Sequence, residues 1–230
     1  MTEPKESPEL IAARIANLEA ERDHYRAQTR KETAEAEAAE LDLRTKRRNQ
    51  ELAEAKDVEH RIYHFTSQVS DSSVESCMAT LAAWVRVAKE PITINFYSPG
   101  GSVISGLRLY DFLRRLVEED GITLTTITLG YAASMAGVLL QAASDGCRVV
   151  GPNAHVLVHE VSAGAVGKIG ELEDSVDFSK ALNQRLFGIL AGRAKVSKAA
   201  LLRKAKRKDV WLDAEETVNK FGLADRIGYR

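Results

Sequence analysis

Residues 128–160 read TLGYAASMAGVLLQAASDGCRVVGPNAHVLVHE and carry the clearest signals of fold and chemistry in the chain. A β-rich run ends in glycine and small residues, and Ser134 follows where a helical pattern begins. Two short β-rich runs come next, CRVVG and HVLVH, and the second ends in His159. In parallel α/β folds, reactive groups collect where strands end and helices begin. Ser134 and His159 are therefore candidate functional residues.

Both side chains also have an ordinary structural interpretation. A serine at the start of a helix is commonly an N-cap, whose hydroxyl accepts a backbone N–H. A histidine at the end of an apolar strand is commonly packed against neighbours and hydrogen-bonded. His155 lies four residues before His159 and would share its strand face. The local sequence does not choose between a nucleophile and a cap at Ser134, or between the two histidines.

The chain around this stretch alternates predicted strands and helices. Strands are predicted in RIYHF, PITINFY and ITLTTITLG, and helices in SDSSVESCMATLAAWVRVA and VISGLRLYDFLRRLVEE. The last of these helices is amphipathic, with one side formed by Val103, Leu107, Tyr110, Leu113 and Leu116. Three later helices are predicted in GKIGELEDSVDFSKALNQRLFGILAGRA, SKAALLRKAKRK and DAEETVNKFGLAD. Strands separated by helices of this length predict parallel β-α-β units, so the fold class is α/β.

The sequence SPGG at residues 98–101 directly follows the strand PITINFY. Pro-Gly-Gly after a strand is ordinarily a turn, in which glycine supplies a positive φ. Its functional alternative is a backbone N–H presented to an oxyanion, next to the N–H that follows a nucleophile. This motif therefore adds a third candidate element to the two reactive side chains.

The first 60 residues differ in composition from the rest. Between Ser7 and Asp57 the chain has no glycine and no proline after Pro8, and Ala, Glu, Arg, Lys and Leu dominate. Ser7-Pro8-Glu9 predicts the start of a helix. Apolar positions are not sustained over three or four heptads, so a solvated or disordered arm and a coiled-coil or partner-binding arm both remain. We predict an N-terminal arm at residues 1–59 and a globular domain at residues 60–230.

Composition limits the classes of function. The formal net charge of −1 predicts neither nucleic-acid nor membrane partners, and acidic residues flank the basic run RTKRRNQ. No apolar run approaches the roughly 18 residues that span a bilayer. Cys77 and Cys147 have no CxxC or zinc-binding spacing, which indicates a reduced intracellular protein. We expect neither a metal nor a cofactor. The polar N-terminus shows no secretory signal, and a cytoplasmic location is expected.

Three blocks of this sequence resemble the ClpP family of serine peptidases. SPGGSVISGLRLYDFL is similar to the family's signature turn and helix, and residues 130–160 to its nucleophile and histidine blocks. RKDVWLDAEETVNKFGLADRI resembles its closing segment. The resemblance spans residues 60–229 and implies a ClpP/crotonase-like spiral of β-α-β units. AGAVGKIGEL is similar to the family's glycine-bearing strand and long handle helix, with which two rings meet.

The resemblance also implies roles for individual residues. Ser134 would be the nucleophile, His159 the general base and then acid, and Asp209 the residue that orients the imidazole. Gly101 and Met135 would donate the oxyanion-hole N–H groups. His155 would not be the base.

The function implied is a serine endopeptidase that cleaves unfolded or flexible polypeptides inside a homo-oligomeric ring or double ring. Alternatives are a phage head maturation protease of the same family with capsid or scaffold partners, an inactive structural ring subunit, or a crotonase-like acyl-CoA enzyme. The family's short axial segment has no match here, which weighs against an unfoldase ATPase as partner. His159 is followed by Glu-Val where the family usually has Gln-Pro, and Lys208 stands where an arginine commonly precedes the catalytic aspartate.

Overall fold

The structure, a computed structural model, describes residues 7–229. The first six residues of the predicted arm and Arg230 lie outside the described residues. The chain divides into two compact units, residues 1–56 and residues 57–230.

The first unit is dominated by one helix, α1 (Pro8–Glu54), of 47 residues. Ser7 caps it by accepting a hydrogen bond from the Leu10 N–H, and Pro8 and Glu9 occupy the first turn, as the sequence predicts. None of its residues is buried. The helix is about 70 Å long at 1.5 Å per residue, and its charged side chains pair along its own surface, as in the Asp42–Lys46 ion pair at 2.8 Å. The predicted long charged helix is therefore confirmed.

The second unit is built on one sheet that is parallel except at a single pairing. Its strands among the described residues are β1 (Ile62–Phe65), β2 (Ile92–Ser98), β3 (Leu124–Ala133), β4 (Arg148–Val150), β5 (His155–Val158), β6 (Val210–Leu212) and β7 (Arg226–Ile227). The main path runs β1-β2-β3-β4-β7, and β5 and β6 branch from β3. Only β5 and β6 pair antiparallel. The α/β prediction is confirmed, although β6 and β7 lie in segments where the sequence analysis placed no strand.

Besides its pairing with β2, strand β3 pairs with β4 and then with β5 along its length. Its first half pairs with β4, from Thr126 opposite Arg148, and its last three residues pair with β5, from Tyr131 opposite His155. The pairing of β2 with β3 shifts register near the point where β3 changes its partner, between Phe96 and Ser98 of β2. The C-terminal ends of β2, β3 and β5 therefore lie side by side, beyond the part of β3 that pairs with β4.

Helices cover the sheet and complete the core. They are α2 (Asp71–Val87), α3 (Val103–Glu118), α4 (Met135–Leu139), α5 (Ile169–Gly192) and α6 (Lys198–Ala205), with a short 3-10 turn at Leu140–Ala142 and a π-helical turn at Glu216–Lys220. On α3, Leu113 and Leu116 are buried as predicted, while Val103, Leu107 and Tyr110 are only partly buried, and Leu109 and Phe112 complete the core face. Helix α5 buries only Leu186, Phe187 and Leu190, near its C-terminal end.

Two local predictions are wrong. The glycine-bearing strand expected before α5 does not form. A strand needs a neighbouring strand for its backbone hydrogen bonds, and residues 159–168 form no β-ladder with any other described segment. The last predicted helix is reduced to the turn around Glu216–Lys220, which ends where Gly222 adopts a φ of +65°.

Candidate active site

Ser134 occupies a sharp turn between β3 and α4. Its φ of +56° and ψ of −123° lie outside the regions that side-chain-bearing residues normally adopt, which costs about 1–3 kcal/mol. The Ser134 N–H donates to the Leu157 carbonyl at 3.0 Å and fixes the turn to β5. Its hydroxyl makes no capping hydrogen bond, although Ser134 stands at the N-cap position. The capping interpretation of this side chain is therefore wrong.

The SPGG turn packs directly on this serine. A Cβ atom added to Gly100 would lie 2.5 Å from the Ala133 carbonyl oxygen, 2.7 Å from the Ser134 Cβ and 2.8 Å from the Met135 nitrogen. Only glycine fits here, and its φ of +83° is also one that glycine adopts without strain. Val69 holds the turn from the other side, because its N–H donates to the Gly100 carbonyl and its carbonyl accepts from the Ser102 N–H.

Two backbone donors at this junction have no protein acceptor. Among the described residues, neither the Gly101 N–H nor the Met135 N–H donates a hydrogen bond. Gly101 lies in the turn that packs on Ser134, and Met135 follows Ser134 at the first position of α4. Free N–H groups beside a nucleophile are what an oxyanion hole requires.

The strand register brings His159 and Asp209 face to face. In the β5–β6 ladder Leu157 pairs with Trp211 and Val158 with Val210, so the next pair in register is His159 with Asp209. The His159 Nδ1 lies 3.9 Å from the Asp209 Oδ1. The His159 side chain is 21% exposed and the Asp209 side chain 66% exposed. A histidine and a carboxylate from opposite strands therefore meet just beyond the end of the ladder.

A cavity of about 350 Å³ joins the serine turn to His159. Gly101, Ser134 and His159 all line it. Its apolar wall includes the side chains of Val103, Val138, Leu157, Leu186, Phe187 and Leu190. Asp209 lines an adjoining, more open pocket that also contains His159. Among the described residues, no hydrogen bond joins Ser134 to His159. Catalytic hydrogen bonds are often long before substrate binds and shorten in the complex with substrate, so the absence of this bond does not argue against a catalytic pair of Ser134 and His159.

The structure separates the two histidines that the local sequence could not. His155 begins β5, is exposed and lies opposite Tyr131 in the ladder with β3. It does not line the cavity that contains Ser134. His155 is the first residue of β5, whereas His159 directly follows its last residue, Val158, so the two histidines lie at opposite ends of the strand.

Sequence analysis missed two groups at this site. The apolar wall contributed by α5 lies more than fifty residues from Ser134, so no local pattern links them. Glu160 also lines the cavity, and its carboxylate accepts a hydrogen bond from the Arg207 N–H at 2.7 Å. The sequence marked Glu160 only as a departure from the family pattern.

The described residues contain no group of three or more His, Cys, Asp or Glu side chains that could hold a metal ion. Within the same residues, every helix is too short or too polar to cross a membrane. Burial raises the pKa of the Cys77 thiol to about 12, so at neutral pH it stays protonated and is a poor nucleophile.

Comparison with known proteins agrees with this geometry. The model of the family described as Clp protease matches residues 46–230. The ATP-dependent Clp protease proteolytic subunit 3 of Streptomyces coelicolor is 34% identical over 176 residues, which cover 74% of this chain and 76% of the relative. Subunit 1 of Streptomyces avermitilis is 32% identical over 171 residues, covering 73% and 75%. The proteolytic subunit of Bacteroides thetaiotaomicron is 32% identical over 168 residues, covering 73% and 74%.

The fold, the site and these relatives together define a serine endopeptidase. The chain belongs to the Clp protease family. This assignment confirms the family and the activity expected from the three sequence blocks.

Proposed function

We propose that this protein hydrolyses peptide bonds in unfolded or flexible polypeptides through Ser134, His159 and Asp209. The observation that carries the proposal is the strained turn at Ser134, whose hydroxyl is not used for capping and which shares a cavity with His159. Strain at a single residue is characteristic of functional sites, where the surrounding structure holds it in place. A serine on a sharp strand-to-helix turn is the arrangement of a nucleophile elbow.

The chemistry proceeds by acyl transfer. His159 accepts the Ser134 hydroxyl proton as the oxygen attacks the substrate carbonyl, and then gives that proton to the leaving amine. Water, deprotonated by His159, releases the acyl group and regenerates Ser134. Asp209 orients the imidazole through Nδ1 and does not accept its proton.

Gly101 and Met135 are assigned to the oxyanion hole. Their N–H groups have no protein acceptor and lie on the two segments that pack together at Gly100. Donors held in place before the reaction stabilise the developing negative charge, and loss of one typically lowers the rate by about 10²–10³.

The apolar wall of the cavity favours substrates with an apolar side chain next to the scissile bond. Burying a leucine side chain is worth about 1.5–3 kcal/mol, and a charged side chain would lose its hydration there. We therefore assign a preference of roughly ten- to a hundredfold for leucine over aspartate at the residue that donates the scissile carbonyl.

The assembly proposed is a homo-oligomeric ring or double ring, as the Clp protease family generally forms. Exposed apolar side chains at the start of α5 and just before it support this proposal: Val166, Ile169 and Phe178 are 104%, 78% and 57% exposed. Apolar side chains grouped in this way commonly mark an interface. We assign the ring to the cytoplasm and place the boundary between arm and peptidase domain at residues 59/60, near the division into compact units.

Helix α1 favours a second candidate within the same family. A helix of 47 residues with no buried side chain is suited to a tether or scaffold, as in a phage head maturation protease that works on capsid proteins without an ATPase. The relatives named above are called ATP-dependent. The presence of an ATPase partner would favour the Clp-type endopeptidase, and its absence would favour the maturation protease. Membership of the Clp protease family favours either over an acyl-CoA enzyme or an inactive ring subunit.

Fluorophosphonate labelling, read by intact mass on samples sized by light scattering, tests the proposed function. The wild type should take up one label per chain, and Ser134→Ala and His159→Ala should take up none. Ser162→Ala is the matched control, because Ser162 lines the same cavity and should label like the wild type. An assembled wild-type ring that takes up no label would refute the assignment. Digestion of an unfolded protein without an added ATPase would favour the maturation protease.

A further inference from the structure

Few contacts hold the Asp209 side chain beside the imidazole of His159, where the proposed mechanism requires it. Its side chain is 66% exposed, and among the described residues its carboxylate accepts no hydrogen bond. The β5–β6 ladder ends one pair earlier, at Val158 and Val210. An exposed carboxylate 3.9 Å from the imidazole orients it only if the backbone that carries it is fixed.

The segment before Asp209 contains a strained turn. Arg207 has a φ of +58°, in the left-handed region that residues with a side chain rarely adopt. Helix α6 ends at Ala205, and the Lys208 N–H donates to the Ala205 carbonyl at 3.2 Å. A turn of this kind persists only where contacts from elsewhere in the molecule hold it.

Glu160 supplies that contact. Its Oε2 accepts the Arg207 N–H at 2.7 Å, across 47 residues of sequence. A hydrogen bond to an ionised carboxylate is about twice as strong as one between neutral groups. Continuing the β5–β6 register places Glu160 opposite Lys208, so this bond lies just beyond the His159–Asp209 pair. The pair is thus held on one side by the ladder and on the other by Glu160.

We propose that Glu160 is a positioning residue, whose carboxylate fixes the turn at Arg207 so that Asp209 stays beside the Nδ1 of His159. The inference rests on the proposed function, because it gives Asp209 the orienting role. Glu160 also lines the cavity, but its carboxylate is engaged by the Arg207 N–H, so its loss should lower kcat and leave KM nearly unchanged.

The test compares three replacements of Glu160 in the full-length protein, with kcat and KM measured on a fluorogenic peptide with leucine before the scissile bond. Glu160→Ala removes the acceptor and should lower kcat about tenfold, with KM within about twofold. Glu160→Gln keeps an oxygen at the same reach and should retain at least about a third of kcat. Glu160→Asp keeps the charge but falls one methylene short, so its kcat should resemble that of the alanine variant. Light scattering confirms the oligomer mass of each.

A double-mutant cycle with Asp209→Ala shows whether Glu160 acts through Asp209. In that background Glu160→Ala should cost less than about twofold in kcat, because no carboxylate remains to be positioned. Asp213→Ala is the matched control, since Asp213 accepts the Glu216 N–H at 2.8 Å at the other end of β6. It should leave kcat unchanged.

Several outcomes would overturn the inference. These are an unchanged kcat in Glu160→Ala, a higher kcat in Glu160→Asp than in Glu160→Gln, or the same tenfold cost with and without Asp209. If Ser134→Ala is inactive and Asp209→Ala has a strongly reduced but measurable kcat while the Glu160 variants are normal, only this inference fails. If Asp209→Ala is fully active, the proposed triad fails and the role of Glu160 fails with it.

Discussion

Gly100, beside the candidate active site, has a positive φ and also no room for a side chain. Gly100→Ala should destabilise the protein by about 3 kcal/mol, since an unfavourable φ costs about 1–2 kcal/mol and the added Cβ must displace backbone atoms of the Ser134 turn. The rate of fluorophosphonate labelling should fall at least about tenfold, because the displaced atoms carry the proposed nucleophile and the Met135 N–H. Urea unfolding and labelling kinetics measure the two effects.

Gly121 provides the control for that replacement. Its φ is +72°, close to that of Gly100, but no atom lies within 4 Å of an added Cβ. Gly121→Ala should therefore cost about 1 kcal/mol and leave the labelling rate unchanged. Equal effects of the two alanines on stability and labelling would show that crowding at Ser134 plays no part.

At the scale of elements, an ion pair between the buried Arg148 and the partly buried Asp225 reinforces the join between β4 and β7. Arg148 is 7% exposed, and its guanidinium donates to Asp225 at 2.5 Å and to the carbonyl of Gly222 at 3.0 Å. Burial alone would raise the pKa of Asp225, but the hydrogen bonds and charge of Arg148 outweigh it and leave that pKa below its ordinary value. The ionised carboxylate is therefore favoured in the folded protein.

Stability should consequently depend on pH in the acid range through Asp225. A carboxyl group with a lowered pKa contributes stability above its unfolded pKa of about 3.9 and loses it as pH falls through the folded value. Asp225→Asn should cost about 2 kcal/mol at pH 7, because it leaves the buried guanidinium of Arg148 without its charged partner. The difference from the wild type should shrink below about pH 4. Urea unfolding at pH 7 and pH 3 checks this, and an equal difference at both would contradict it.

The first turn of α3 contributes Val103 to the cavity that we propose receives the substrate side chain. Val103 lines the cavity opposite the apolar side chains of α5. Val103→Trp should fill part of it and lower kcat/KM about tenfold for a peptide with leucine before the scissile bond, with a smaller effect for alanine. Val87→Trp is the control, because Val87 ends α2 and is 85% exposed. A uniform loss for both peptides would indicate that the cavity does not receive this side chain.

At the scale of the whole molecule, the arm and the peptidase domain should be separable. Among residues 7–229, every buried residue lies in the second unit, and α1 buries none of its own. Deleting residues 1–56 should therefore change the free energy of unfolding by less than about 1 kcal/mol and kcat/KM for a short peptide by less than about twofold. Urea unfolding, peptide hydrolysis and light scattering on the deletion variant check this. A large loss of peptide hydrolysis would instead make the arm part of the catalytic assembly.

The sequence by itself determined the features that depend on short-range pattern. Hydrophobic periodicity predicted the α/β class and the helices α2, α3 and α5, because each repeats within one element. The cap at Ser7 and the absence of glycine and proline predicted α1. Ser134 and His159 stood out because strand ends are readable from composition. Resemblance to a family then supplied Asp209, which no local pattern marks.

Only the tertiary structure decided which distant residues meet. The ladder of β5 with β6 sets His159 opposite Asp209 and brings Glu160 to the turn at Arg207, and its partners lie about fifty residues apart. The register of such a pairing depends on how both strands pack against the rest of the sheet, so neither strand encodes it alone. The same holds for the α5 wall of the cavity and for the position of His159, but not His155, in the lining of that cavity. Local sequence fixes the elements and the reactive groups they carry, whereas long-range packing fixes which groups come within reach of one another.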